Sequence, residues 1–144
     1  MTAPEIGKKY FTVAEANSTL PLLRAIVRDI TELAAELRER HERLNRIKPG
    51  GRFSLSEAHD EELQQVQAEF ERGQEKMAEY VRELQQLGVE LKDYSTGLID
   101  FPSVMNGRVV YLCWRLGELE VAHWHELEAG FMGRQRLRPD PSRV

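Results

Sequence analysis

The 144-residue sequence predicts an α+β chain: a long antiparallel two-helix hairpin with coiled-coil-like patterning, followed by a small antiparallel β-meander. Three observations predict it. Apolar residues recur at alternating spacings of three and four from Leu20 to Leu87. After Gly88 the period falls to two, with β-branched and aromatic residues. Pro-Gly, Asn-Gly and Leu-Gly pairs mark the boundaries.

The first helical seam is Leu20, Leu23, Val27, Ile30, Ala34, Leu37, His41 and Leu44, and the second is Leu63, Val66, Phe70, Gly73, Met77, Tyr80, Leu84 and Leu87. Together they place a hairpin over residues 11–48 and 54–88. Lys48-Pro49-Gly50-Gly51 turns the chain, because Pro lacks an amide proton and paired Gly residues cost backbone entropy. Thr12 with Glu15, and Ser54 with Glu57, have the spacing of capping boxes, and Gly88 is placed for a left-handed C-terminal cap. Pro21 predicts a short helix over 13–17, a break near Ser18-Thr19, and a restart with Pro21 in the first turn. Folded back, the seams set Ala34 near Phe70 and Ile30 near Gly73, small against large. His41 falls at the hairpin tip and takes no role. Leu22, Ile26, Leu33 and Ile47 lie off the seam and want either the sheet or a second subunit, so a homodimer is expected.

Strands are predicted over 89–92, 97–101, 109–114 and 119–125, within a sheet spanning 89–126. Pro102 ends the second, Asn106-Gly107 turns into the third, and Leu116-Gly117 closes a hairpin. Residues 1–133 form a single domain, and the Arg- and Pro-rich residues 134–144 a flexible tail.

Composition narrows the function. Twenty Lys and Arg stand against 24 Asp and Glu, a net charge of -4, which argues against a nucleic-acid partner. The single Cys113 permits no internal disulfide and no thiolate cluster, and its apolar surroundings predict a buried, inert thiol. Neither a signal-peptide core nor a membrane-length apolar run occurs, so the expected setting is the cytoplasm with no membrane partner. No G-x-S-x-G elbow, P-loop or G-x-G-x-x-G is present.

The chemistry concentrates in the strands. His123 and His125, two apart, leave one face, and imidazoles so placed can converge on an ion if carboxylates from Asp100 or Glu118 complete the shell. The competing reading is a pair of surface histidines, or one histidine bonded to a carboxylate. Arg115 and Glu118 flank the hairpin turn, which favours a cross-strand ion pair over anion binding. Asp93 opens the turn Asp93-Tyr94-Ser95-Thr96-Gly97, and local backbone bonding explains it. Gly130-Phe131-Met132-Gly133-Arg134 fits either a backbone anion nest or a plain exit from the strand.

Several stretches together resemble a known family. They are Tyr10-Phe11-Thr12, Glu15-Ala16-Asn17, Leu20-Pro21-Leu22, Gly88 through Lys92-Asp93, Gly97-Leu98-Ile99-Asp100-Phe101-Pro102, Gly107-Arg108, Tyr111 through Glu118, Trp124-His125-Glu126 and Gly130-Phe131 with Gly133-Arg134. Over nearly the whole chain they are similar to the prokaryotic Domain of Unknown Function 2203 family, which carries no established activity. The resemblance implies that Asp93, Asp100, Arg115, Glu118, His125 and Arg134 belong to a shared polar signature, with His123 and Glu126 beside it. It therefore favours a site built on His125 with carboxylates. Two readings follow. One is a protein binding a metal ion or small anion through His125, Asp100, Glu118 and His123, with Arg115, Arg134 and Asp93 orienting the ligand; zinc, iron and manganese all suit such donors. The other is a non-catalytic oligomeric scaffold that uses the helical hairpin.

Overall fold

The computed structural model describes residues 2–47 and 57–138. The expected turn at Lys48-Pro49-Gly50-Gly51, the Ser54 half of the second capping box, and residues 139–144 of the expected tail lie outside them. Helix α1 spans Val13–Ile47 and α2 Glu57–Gln86. An antiparallel five-stranded meander follows in sequence order: β1 Glu90–Asp93, β2 Leu98–Met105, β3 Arg108–Arg115, β4 His123–His125 and β5 Gln135–Arg136. No helix among the described residues is long and apolar enough to cross a membrane.

The first capping box forms as its spacing predicts. Thr12 Oγ1 accepts from the Glu15 amide, and Glu15 Oε1 accepts from the Thr12 amide, both at 3.1 Å. The break expected at Ser18-Thr19 does not occur, and α1 runs unbroken through Pro21. An interior Pro costs about 3 kcal/mol. Against that, Ala16, Leu20, Leu23 and Val27 are fully or almost fully buried on the continuous face, and each large side chain there contributes about 1.5–3 kcal/mol. A break would rotate half of that face away from the sheet. At the same end of the hairpin Gly88 closes α2, its amide bonded to Gln85 and that of Val89 to Leu84, in a Schellman arrangement.

The helices pair one heptad away from the expected register. Phe70 meets His41, with ring centroids 5.7 Å apart, and a Cβ on Gly73 would lie 2.5 Å from Leu37 Cδ2. Ala34 and Ile30 were expected at those two places. Heptad seams match equally well after a slip of seven residues, so the pattern alone does not choose.

One face of the sheet packs on α1, where Ile99, Phe101, Leu112 and Trp114 join Leu20, Leu23, Val27 and Ile30 in a single core. Of the four residues off the seam, Ile26 and Leu33 belong to this core, each 7% exposed, while Ile47 is half-buried and Leu22 stays exposed. Gly97 permits a close approach of the β1–β2 turn to α1. It adopts φ +71°, and a Cβ there would fall 2.7 Å from Val27 Cγ1.

Strand β2 does not stop at Pro102, as expected, but continues to Met105. Pairing with β1 ends at Asp100, and beyond that point the Phe11 amide donates to the Pro102 carbonyl at 2.7 Å. The side of Pro102 without an N–H therefore faces no strand that needs one. The fourth strand is shorter than expected. Val121 bonds through its amide and carbonyl to the Asn17 side chain, and Arg24 caps the Leu119 carbonyl, so Leu119 and Val121 spend these backbone groups on α1. The expected flexible tail is also displaced. Arg134 is largely buried, β5 pairs with β4, and the Leu137 amide bonds to the Ala122 carbonyl at 2.8 Å.

Candidate functional site

The strands alternate, so every second side chain leaves the face turned away from the helices. Asn106 and Gly107, both with positive φ, make the two-residue turn between β2 and β3 and set Met105 opposite Arg108. Five residues along, that register puts Asp100 opposite Cys113. Strand β4 then places His123 beside Cys113, and His125 beside Tyr111. The sequence thus builds a polar row on this face, and residues 126–134 return across it.

Three members of the row are almost completely buried. Asp100 and His125 are each 2% exposed and Cys113 is inaccessible. His125 Nε2 lies 2.9 Å from Asp100 Oδ2, and His125 Nδ1 lies 2.7 Å from the Glu126 carbonyl. A carbonyl only accepts, so Nδ1 carries a proton. The Nε2 to Oδ2 contact then holds exactly one more, shared between imidazole and carboxylate. Both ring nitrogens are committed, and His125 is no free base. Asp100 Oδ1 is buried and meets no well-aligned donor among the described residues; the Cys113 thiol, a weak donor, is the group beside the carboxylate. One donor atom each from Asp100, Cys113 and His125 lies within 4.8 Å of the others. Burial pushes the Asp100 carboxyl above its ordinary pKa, against the pull of His125. Burial, and then the Asp100 charge, push the Cys113 thiol up to about 12. Tyr111 packs its ring 5.5 Å from that of His125, and burial with the Glu90 contact raises its hydroxyl to about 12.

Beside this triad stands a second group. Arg134 pairs with Glu118, donates to His123 Nδ1 at 2.9 Å, and brings Nη1 to 3.9 Å from Cys113 Sγ. Since Arg134 only donates, His123 accepts as a neutral imidazole, and burial followed by the Arg134 charge lowers its pKa. Burial opposes ionisation of Glu118, but the Arg134 and Arg115 hydrogen bonds outweigh it and hold its carboxyl below the ordinary range.

The candidate residues therefore divide. Asp100 and His125 come together, and Glu118, His123 and Arg134 form a neighbouring group instead of completing the same cluster. The expected ion pair between Arg115 and Glu118 is replaced by a bond from the Arg115 backbone amide to Glu118 Oε1 at 2.8 Å, while the Arg115 guanidinium lies 5.1 Å from the Phe131 ring. Asp93 accepts from the Ser95 and Thr96 amides and serves its own turn. In the glycine-rich segment the Gly133 and Arg134 amides bond to the Gly130 and Phe131 carbonyls, so these donors are used within a tight turn. Cys113 is buried, as its apolar neighbours predict, but its place beside Asp100 and His125 is what the sequence reading missed. Counting back from the two-residue turn at Asn106-Gly107 pairs it with Asp100 and is the signal that finds it.

A family model described as an uncharacterized conserved protein, DUF2203, matches residues 9–137. No curated protein and no solved structure matches the chain. With the match spanning both helices and all five strands, the chain belongs to the Domain of Unknown Function 2203 family.

Proposed function

We propose that the protein binds one divalent transition metal ion, zinc by preference, through Asp100, Cys113 and His125. The observation that carries this reading is the convergence of three buried donor atoms, from Asp100, Cys113 and His125, within 4.8 Å of one another, with Asp100 Oδ1 meeting at best the weak thiol donor of Cys113. A thiol satisfies a buried carboxylate oxygen poorly. A cation among the three donors satisfies it in full. The orientation of His125 supports the same reading, because metal-ligating histidines donate their other ring N–H to a carbonyl or carboxylate, as Nδ1 does to Glu126.

Charge balance favours the exchange. The metal-free cluster holds one proton shared by Asp100 and His125 and one on Cys113, and is neutral overall. A divalent ion displacing both protons leaves carboxylate, thiolate and neutral imidazole around it, again neutral, so no net charge is buried. Thiolate and imidazole donors suit zinc and select against manganese. Arg134, with Nη1 3.9 Å from Cys113 Sγ, further supports a thiolate there.

Metal content and thermal unfolding test the proposal together. Metal-depleted protein given zinc at about a hundred times its dissociation constant gains about 2.7 kcal/mol, which corresponds to a rise in Tm of about 5–10 °C. Cys113→Ser and Asp100→Asn should both lose the stoichiometric ion and the rise. Uptake of no ion by the wild-type protein, or equal uptake by both variants, overturns the assignment.

A further inference from the structure

A two-helix hairpin buries one seam of each helix and leaves a groove along its open side. Here the groove lies between α1 and α2, is closed at its base by Tyr94 and Ser95 of the β1–β2 turn, and encloses about 760 Å3. Leu37, Phe70 and Val81 line it and are only partly buried, with Met77 beneath. The small side chains of Ala34 and Ala78 keep it wide. Its charged lining residues are Arg38 and Arg82, one from each wall, in a chain whose net charge is -4. The Asp93 carboxylate lies near Arg38 at the base, which leaves Arg82 as the guanidinium without a carboxylate in the lining among the described residues. Arg38 is held at the base by donating to Ser95 Oγ at 2.8 Å.

We infer that this groove docks an acidic amphipathic helix from a partner protein, which completes a three-helix layer. The apolar floor takes the i, i+3, i+4 and i+7 anchors of such a helix, and Arg38 and Arg82 meet acidic residues on its flanks. A second copy of this chain is a poor occupant on two counts. Groove against groove brings arginine towards arginine, a like-charge juxtaposition. The described helices also have no spare apolar stripe to offer: their exposed large hydrophobic residues are Val13 and Leu22, near the start of α1. Because the groove is open to solvent, a single acyl chain laid in it would remain half in water.

Fluorescence anisotropy with two synthetic helical peptides tests this in the full-length protein. Both carry Leu at heptad a and d positions; one has Glu at the flanking positions and the other Lys. The Glu peptide should bind roughly tenfold or more tightly than the Lys peptide, and Arg38→Glu with Arg82→Glu should reverse that order. Ala78→Trp, a change at an exposed position, should fill the groove and abolish binding without altering the helical circular dichroism. Equal affinity for the two peptides, no effect of charge reversal, or a solution dimer that Ala78→Trp dissociates would each overturn the inference.

Discussion

Strands β2 and β3 present two faces one residue apart, and the two are buried for different reasons. On the face towards α1, Ile99 pairs with Trp114 and Phe101 with Leu112, an apolar set within a large core. On the other face Asp100 pairs with Cys113, and His125 reaches across from β4. Apolar burial is non-directional and spread over many neighbours, whereas the polar face depends on each donor meeting one acceptor. The inner face therefore explains why the sheet exists, and the outer face carries the candidate site.

The largest expected effect lies on the inner face. Trp114→Ala removes a fully buried ring whose Nε1 also donates to the Glu118 carbonyl, and should cost about 3–5 kcal/mol in chemical denaturation. A loss below about 1 kcal/mol would show that this face is not the stabilising one. Next comes Asp100→Asn in the metal-free protein, which removes the charge from the His125 bond and should cost about 1.5–3 kcal/mol. The comparison sharpens when both partners are replaced, as in Asp100→Val with His125→Phe. The double variant should be more stable than the single His125→Phe, which strands a buried carboxylate. If the two losses simply add, the pair is not a unit.

The smallest effect concerns pH. Glu118 has a folded pKa below its unfolded value, so its contribution is present above the unfolded carboxylate pKa and is lost as pH falls through the folded one. Glu118→Gln should then cost about 1 kcal/mol near neutral pH, and the gap to wild type should close in acid. A gap that widens on acidification would reverse the sign assigned to Glu118.

The parts of this architecture legible in the sequence are those fixed by local chemistry. The Thr12 and Glu15 capping box, the Asn106-Gly107 turn and the change of period after Gly88 each depend on a few neighbouring residues, and all three are seen. Where distant partners decide, local rules mislead. Pro21 sits within a helix because the core on either side outweighs one missing bond, and Pro102 sits within a strand because β1 has already ended. The hairpin register slipped by one heptad because a seven-residue repeat looks the same after seven residues. Strand β5 was hidden by an Arg- and Pro-rich composition that reads as tail. In the site, the pairing of Asp100 with His125 needs β4 in place, and Cys113 looks like a core residue because its neighbours Leu112 and Trp114 are apolar on the opposite face.

The electroneutral exchange at Asp100, Cys113 and His125 is the central claim, and proton release measures it most directly. Zinc is titrated calorimetrically into the metal-depleted protein at neutral pH in two buffers of different ionisation enthalpy. The account predicts one ion bound and close to two protons released. Binding with no proton release, or no binding at all, would contradict it.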